Sequence, residues 1–221
     1  MRKNLIILAA AALFAPLSAS ATNLVTNGSF ETGTFADWTL IGVVSDIYPA
    51  VVITYGSSAA YPTSAFGEVV TAPASGGSYG AYFVSDSSSQ TLTQTITVTT
   101  AGNYQIGFSA YAPTNGLKNP VNAAFTGSIA GNTLLTGTIG SNFTSSTGWK
   151  TFSSDTYLNA GNYVVSFAFS TPGTGGAKDV VIDNVYVMAA APVPEPETYA
   201  LMMSGLALVA FVARRRQDKQ A

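Results

Sequence analysis

The stretch Gln90-Thr-Leu-Thr-Gln-Thr-Ile-Thr-Val-Thr99 carries the pattern that decides the fold class. Leu92, Ile96 and Val98 alternate with threonines, and Gln94 is the one polar residue that interrupts the apolar set. A period of two residues is typical of a β-strand with one face in a core and the other in solvent. The stretch therefore predicts a strand with a buried apolar face and a threonine-lined outer face.

The same design occurs a second time. Ala101-Gly102-Asn103-Tyr104 joins this strand to the next apolar run, and Ala160-Gly161-Asn162-Tyr163 stands at the equivalent place between two later runs. Glycine accepts positive φ angles, so each glycine is expected to allow a tight reversal of the chain. Two such corners suit a sandwich of two sheets, whereas a solenoid would need more copies.

Other segments complete the pattern. Residues 121–129 and 133–139 predict a hairpin around Gly131-Asn132, and residues 179–187 predict a last strand. The segment 71–80, rich in Gly, Pro and Ser, predicts a loop. Several short strands with regular turns, within about 170 residues, predict an all-β domain built as a jelly-roll β-sandwich.

The composition of the chain argues against several classes of function. Charged residues make up 9% of the chain, against about a quarter in a typical soluble domain. Residues 22–191 hold three lysines and eight acidic residues, a net charge of −5, which does not favour nucleic acid as a partner. The sequence contains no His and no Cys, which excludes Ser-His-Asp and Cys-His catalysis and thiolate metal sites. No motif links the acidic residues in pairs, so we expect no enzymatic activity.

Residues 1–21 have the three parts of a secretory signal peptide. Arg2 and Lys3 precede an apolar run, and Ala19-Ser20-Ala21 forms a small-x-small cleavage site. We therefore expect export through the Sec translocon and cleavage by signal peptidase after Ala21, with Ala19 and Ala21 as the small residues of the site. The alternative is an N-terminal membrane anchor that stays uncut.

Residues 192–221 also have three parts in a fixed order. The motif Val193-Pro194-Glu195-Pro196-Glu197 comes first, an apolar stretch at about 198–213 follows, and a basic tail at 214–221 begins with three arginines. The prolines predict an extended stem. The apolar stretch predicts a single transmembrane helix at the short limit for a span, and the arginines predict its cytoplasmic end.

This order resembles the PEP-CTERM sorting signal of exported proteins in Gram-negative bacteria. The resemblance implies that an exosortase processes the chain at the motif formed by Val193, Pro194, Glu195 and Pro196. It also implies a transient stay in the inner membrane through the C-terminal helix, followed by release to the cell surface or the extracellular space. The alternative is an ordinary tail anchor that is not cut.

Three blocks of residues 22–191 resemble galactose-binding-like jelly rolls, most closely the carbohydrate-binding modules of families 4 and 9. They are Asn23-Leu-Val-Thr-Asn-Gly-Ser-Phe-Glu-Thr-Gly33 with Trp38 after it, the block from Trp149 to Tyr163, and Ile182-Asp-Asn-Val-Tyr-Val187. The resemblance implies that the first and last strands lie side by side.

The same resemblance implies one structural Ca²⁺, held by Glu31 of the first block and Asp183 of the last. Carboxylate and carbonyl oxygens are suitable ligands for this ion, and a site of this kind needs neither His nor Cys. The family often has a second acid after the closing one, where this chain has Asn184. The alternative is that Glu31 pairs with a backbone amide or a lysine and that Asp183 makes a turn contact.

The sequence thus predicts an exported, exosortase-processed protein of the cell surface or extracellular matrix, with a non-catalytic β-sandwich. The alternative is a carbohydrate-binding module that recognises exopolysaccharide or another glycan. We interpret Trp38 and Trp149 as core residues. Six tyrosines could serve as aromatic platforms for a sugar, and each would equally suit an ordinary position in a strand. They are Tyr48, Tyr55, Tyr61, Tyr79, Tyr82 and Tyr111.

Overall fold

The computed structural model describes residues 21–42, 48–84, 89–114, 123–143, 148–171, 179–190 and 196–217. The chain forms two compact units, Met1–Ala190 and Ala191–Ala221. In the first unit the described residues form ten strands and one short helix, α1 (Ile139–Asn142). The strands are β1 (Thr39–Ile41), β2 (Val51–Thr54), β3 (Tyr79–Phe83), β4 (Ser89–Val98), β5 (Gly102–Tyr111), β6 (Ala124–Ile129), β7 (Asn132–Leu135), β8 (Lys150–Leu158), β9 (Gly161–Ser170) and β10 (Val180–Ala189).

The ten strands make two five-stranded antiparallel sheets. One has the order β1-β4-β9-β6-β7 and the other the order β2-β3-β10-β5-β8. The two repeated corners, β4 to β5 and β8 to β9, each carry the chain from one sheet to the other. The all-β, jelly-roll β-sandwich predicted from the sequence is thereby confirmed.

The stretch quoted first forms β4, whose side chains alternate between core and solvent as predicted. Leu92, Ile96 and Val98 are buried, and the threonines between them lie on the outer face. Gln94 is also buried, and its amide group hydrogen-bonds backbone groups of Thr26 and of one further residue of the N-terminal segment. Gln94, which interrupts the apolar set, therefore holds the N-terminal segment to β4 through buried hydrogen bonds.

The tight-turn role predicted for Gly102 is wrong. Its φ is not positive, and it begins a strand that lies in the opposite sheet from β4. The chain at this corner crosses between layers rather than folding back on its neighbour, so no left-handed residue is required. The predicted hairpin around Gly131 does need one, because Ala130 and Gly131 have φ angles of 49° and 81° between β6 and β7.

The main core lies between the two sheets and is rich in aromatic rings. Phe108 and Phe167 meet edge to face with centroids 4.9 Å apart, and Trp38 packs on Phe167 at 6.0 Å. Trp38 is 7% exposed and belongs to this core, as predicted. Trp149 is only partly buried and packs against a second cluster, formed by Ile53, Ala65, Val70, Tyr82, Val84, Tyr111 and Val181.

The N-terminal segment lies beside the last strand, as the resemblance implied. The backbone N–H of Leu24 donates to the Val187 carbonyl at 2.9 Å, and the N–H of Val185 donates to the Gly28 carbonyl at 2.8 Å. The Asn23 side chain adds two bonds to the same strand, with Val185 and Val187. Residues 23–28 therefore extend the β2-β3-β10-β5-β8 sheet along one part of β10.

The second unit contains one helix, α2 (Pro196–Gln217), which includes the predicted stretch at about 198–213. Pro196 is its first residue, a position that proline tolerates because its missing N–H would be unpaired there. Among the described residues, no helix combines the length and hydropathy needed to cross a membrane. The helix expected at about 198–213 is present, and its passage through the membrane stays a prediction.

Candidate functional site

Glu31 and Asp183, the two acids singled out in the sequence, come together beside the segment 73–78. Glu31 lies three positions after the segment 23–28 that runs along β10, and Asp183 is in β10 itself. Two adjacent residues, Gly76 and Gly77, lie against the side chains of Asp183 and Glu31 respectively. The fold therefore places the two carboxylates at one site, although 152 positions separate them in the sequence.

The Glu31 carboxylate binds backbone amides at the start of β3. The N–H of Ser78 donates to both of its oxygens at 3.0 Å, and the N–H of Tyr79 donates to Oε1 at 3.1 Å. Hydrogen bonds to an ionised acceptor are stronger than those between neutral groups. Glu31 thus fixes the chain at the point where the segment 73–78 leads into β3. Pairing with a backbone amide is one of the two alternatives given above to its role as a calcium ligand.

Asp183 is fully buried at a bulge of β10. Its Oδ2 accepts from the Tyr55 hydroxyl at 2.8 Å, and its Oδ1 accepts from the Asn184 N–H at 2.5 Å. The pKa of Asp183 is raised to about 7, mainly by burial and to a smaller extent by the charge of Glu31, whereas these two donors lower it. The contact with Asn184, whose φ is 51°, is the turn contact foreseen for this residue.

Two glycines bring the backbone of the segment 73–78 onto these carboxylates. A Cβ on Gly77 would overlap the Glu31 carboxylate, and a Cβ on Gly76 would overlap the Pro73 ring and lie 3.2 Å from Asp183 Oδ2. Asn184 Nδ2 also donates to the Ser75 hydroxyl at 3.1 Å. The two carboxylates therefore lie in a cradle formed by the segment 73–78, in which positions 76 and 77 have room only for glycine.

This cradle suits a hard cation in the chemistry of its donors. Oε2 of Glu31 and both oxygens of Asp183 each accept one hydrogen bond, which leaves each a lone pair. Within the described ranges, no group of three or more His, Cys, Asp or Glu side chains could hold a metal. A cation here would need backbone carbonyls or water to complete its ligands, as Ca²⁺ accepts.

The six tyrosines considered as platforms for a sugar differ in burial and in their partners. Tyr55 donates to Asp183, Tyr82 donates to the Asp179 carboxylate, and Tyr111 is 8% exposed in the second cluster. Burial raises the pKa of Tyr55 and of Tyr82, and the neighbouring carboxylates raise each further. Tyr82 and Tyr111 are buried members of the second cluster, and Tyr55 is half-buried against it.

Two of the remaining tyrosines pack with each other and with Phe66. The Tyr61 and Phe66 rings stack at 5.2 Å, and Tyr48 meets both rings edge to face at 5.4 and 5.0 Å. The Tyr61 hydroxyl donates to the Pro49 carbonyl at 2.6 Å. Tyr61 lies in the connection between β2 and β3, and Tyr48 packs against it from before β2. The sixth tyrosine, Tyr79, lines a cavity.

That cavity is an open cleft of about 440 Å³ beside the edge strand β2. The half-buried rings of Phe35 and Tyr79 line it, and a Cβ on Gly33, whose φ is 68°, would lie 3.6 Å from the Tyr79 ring. No charged side chain lines this cleft in the described part of the chain. Its other polar and apolar lining includes Thr34, Thr54, Pro62 and Thr63.

Sequence reasoning missed most of the cleft. Tyr79 was among the aromatic candidates, but Phe35 and the three threonines were not. The nearest sequence signal was the pair Thr34-Phe35, which directly follows the first resemblance block. Pro62 and Thr63 lie in an aperiodic connection that gives no pattern to read.

The processing sites fall mostly outside the described residues. Ala19 of the expected signal cleavage site and Val193, Pro194 and Glu195 of the sorting motif lie outside them, whereas Ala21 is described as coil. A comparison with protein families covers the second of these regions. Residues 192–216 match the model of the PEP-CTERM protein-sorting motif.

This segment is a PEP-CTERM protein-sorting motif. The motif implies export, processing by an exosortase and sorting to the cell surface. No curated protein matches the chain in sequence. The family assignment therefore covers the C-terminal segment, and the sandwich is characterised by its fold.

Solved structures similar to the chain include several carbohydrate-binding modules. TmCBM61, solved with β-1,4-galactotriose, is 21% identical with a TM-score of 0.48, covering 76% of this chain and 99% of its own. A family 4 module is 19% identical with a TM-score of 0.36, covering 75% and 99%. The K1 cleaved adhesin domain of Lys-gingipain from Porphyromonas gingivalis W83 is 17% identical with a TM-score of 0.47, covering 74% and 96%.

Proposed function

We propose that the exosortase-sorted protein carries a non-catalytic sandwich that binds a neutral glycan of the cell surface or extracellular matrix. The observation that carries the proposal is the cleft lined by Phe35 and Tyr79. Aromatic rings offer flat apolar faces that suit the C–H faces of a sugar. Threonine hydroxyls at the same cleft can exchange hydrogen bonds with sugar hydroxyls.

The lining favours binding over hydrolysis and neutral over charged glycans. Most glycosidases place two carboxyl groups on either side of the bond they cleave. The described residues that line this cleft include no carboxylate and no cation. Glu31, the acid beside Tyr79, already accepts hydrogen bonds from backbone amides. A ligand in this cleft is therefore recognised by stacking and neutral hydrogen bonds.

Replacing either ring of the cleft with alanine is expected to weaken glycan binding at least tenfold, about 1.4 kcal/mol or more. The variants are Tyr79→Ala and Phe35→Ala, compared with the unsubstituted protein by affinity electrophoresis in galactan, xylan and β-glucan gels. Tyr157→Ala is the matched control, because Tyr157 is 63% exposed on β8 and does not line the cleft. Retention of full affinity by both cleft variants, or no retardation of the unsubstituted protein in any gel, would refute the proposal.

In cells without exosortase, the chain is expected to keep residues 192–221, whereas in cells with the enzyme it loses the segment beyond the motif. The reason is that the motif at 192–216 is the recognition element for this processing. Immunoblotting and mass spectrometry of the C-terminus measure the outcome. A Glu195→Ala variant in normal cells should reproduce the defect, and cleavage that proceeds unchanged in the deletion strain would contradict the sorting proposal.

We also propose that one Ca²⁺ binds between Glu31 and Asp183. What supports this is the pair of neighbouring carboxylates under the backbone of Gly76 and Gly77, with lone pairs still available on three oxygens. A divalent cation there would offset the repulsion between the two charges and the burial of Asp183. It would also tie the segment 73–78 to β10, so its role is structural.

A further inference from the structure

The contacts of Glu31 reach the wall of the cleft. Its Oε1 accepts the N–H of Tyr79 at 3.1 Å, and both its oxygens accept the N–H of Ser78 at 3.0 Å. Tyr79 is the first residue of β3, and its ring lines the cleft. The carboxylate therefore holds the backbone of the residue that supplies one aromatic wall.

The same short segment also lies beside the ring of that residue. Gly33 follows Glu31 by two positions, and a Cβ added at this glycine would lie 3.6 Å from the Tyr79 ring, so the backbone here passes beside the ring. Phe35, two positions further, supplies the other aromatic surface of the cleft. Residues 31–35 thus hold the backbone of Tyr79 through Glu31 and contribute a second aromatic ring to the cleft that Tyr79 lines.

Gly77 shows how closely the two segments fit. A Cβ at this position would overlap the Glu31 carboxylate, so the chain before Tyr79 can approach only as glycine. Because the fit is close, the position of Tyr79 depends on the carboxylate that accepts its N–H. Fixing a binding group before the ligand arrives lowers the cost of ordering it on binding.

We infer that Glu31 is a positioning residue for glycan binding, which sets Tyr79 through backbone hydrogen bonds and touches no ligand itself. The inference rests on the proposed function of the cleft. It concerns the amide contacts of Glu31 and does not depend on the proposed cation. Loss of the carboxylate charge should therefore weaken glycan binding even when no divalent cation is present.

A double-mutant cycle on the full-length protein tests this inference. Affinity for whichever of galactan, xylan and β-glucan retards the unsubstituted protein is measured for Glu31→Gln, Tyr79→Ala and the double variant. Glutamine keeps the size of the side chain and one acceptor oxygen but removes the charge. We expect Glu31→Gln to bind about fivefold more weakly, the value of one hydrogen bond. The double variant should bind no more weakly than Tyr79→Ala, because both changes act through one ring.

Glu68→Gln is the matched control. Glu68 also uses a carboxylate oxygen to accept a backbone N–H, that of Thr114 at 2.6 Å, and it does not line the cleft. Its substitution should lower the thermal midpoint without changing glycan affinity. In Glu31→Gln, hydrogen exchange at the Ser78 and Tyr79 amides should become faster, a change that the control should not produce.

The outcomes separate the inference from the proposed function. If Tyr79→Ala weakens binding and Glu31→Gln does not, the inference is wrong and the cleft stands. If the two losses add in the double variant, Glu31 acts elsewhere and the inference is wrong. If the Glu31→Gln loss is present in calcium and absent in EDTA, the effect comes through a cation, which also overturns it. If Tyr79→Ala binds normally, or the unsubstituted protein binds none of the three glycans, the proposed function fails and the inference with it.

Discussion

Replacing Gly28 with alanine is expected to destabilise the sandwich by about 3 kcal/mol, the upper part of the usual range for overpacking. A Cβ on Gly28 would overlap the carbonyl oxygen of Val185 and lie 3.2 Å from the Val25 side chain. The Val185 N–H donates to the Gly28 carbonyl at this same place, so the two backbones cannot separate without losing that bond. The N-terminal segment would have to leave β10 over several residues.

The thermal midpoint measures this effect. A loss of about 3 kcal/mol corresponds to about 6–12 °C in a domain of this size. Gly102→Ala is the control, because nothing lies within 4 Å of a Cβ at that position and its φ is not positive. That variant should stay within about 0.5 kcal/mol of the parent. Equal midpoints for the two variants would show that the N-terminal segment is not packed on β10 as described.

Strands β4 and β8 could be predicted because each alternates between more covered and more exposed side chains. β4 shows this most clearly, with buried and exposed side chains in strict alternation. β3 could not be predicted, because the second cluster covers its outer face through Tyr82 while Phe83 faces the main core. Its last four residues are all buried, so no period of two is present to read.

The candidate site was predictable only where a motif named a residue. Glu31 and Asp183 stand in the two blocks that resemble other jelly rolls, and the fold brings them together. The partners of Glu31 are backbone amides, which leave no trace in a sequence. The cleft joins Phe35, Pro62 and Tyr79 from three aperiodic stretches, so its assembly depends on tertiary structure alone.

Two glutamines at core positions of β4, Gln90 and Gln94, are a sequence signal for buried hydrogen bonds. Gln90 is fully buried, and its side chain bonds the Ala50 N–H at 2.5 Å and the carbonyls of Tyr48 and Val84 at 3.2 and 3.1 Å. Gln94 makes a similar set of bonds on the same face of β4. Glutamines at two core positions indicate that irregular segments of the chain pass beside the strand and supply backbone groups to them, because buried amides need hydrogen-bond partners.

Removing calcium with EDTA is expected to lower the thermal midpoint of the protein by about 5–11 °C. A cation at a hundred times its Kd stabilises the folded state by about 2.7 kcal/mol, and each kcal/mol is worth about 2–4 °C here. The proposed ion would be lost together with the link between the segment 73–78 and β10. Scanning calorimetry in 1 mM calcium and in EDTA makes the comparison, and a midpoint that does not change removes the calcium proposal.

Asp183→Asn distinguishes this site from any other cation effect, because it should remove the response to EDTA. The carboxylate of Asp183 is fully buried, and burial penalises its charge, which the neutral amide does not carry. In EDTA the variant should therefore be at least as stable as the parent. In calcium it should be less stable, since an amide offers one neutral oxygen where the cation had a charged pair. The order of the two midpoints should thus reverse between the two buffers. An EDTA response that persists undiminished in the variant would place the ion elsewhere and leave Glu31 and Asp183 as a pair held by hydrogen bonds alone.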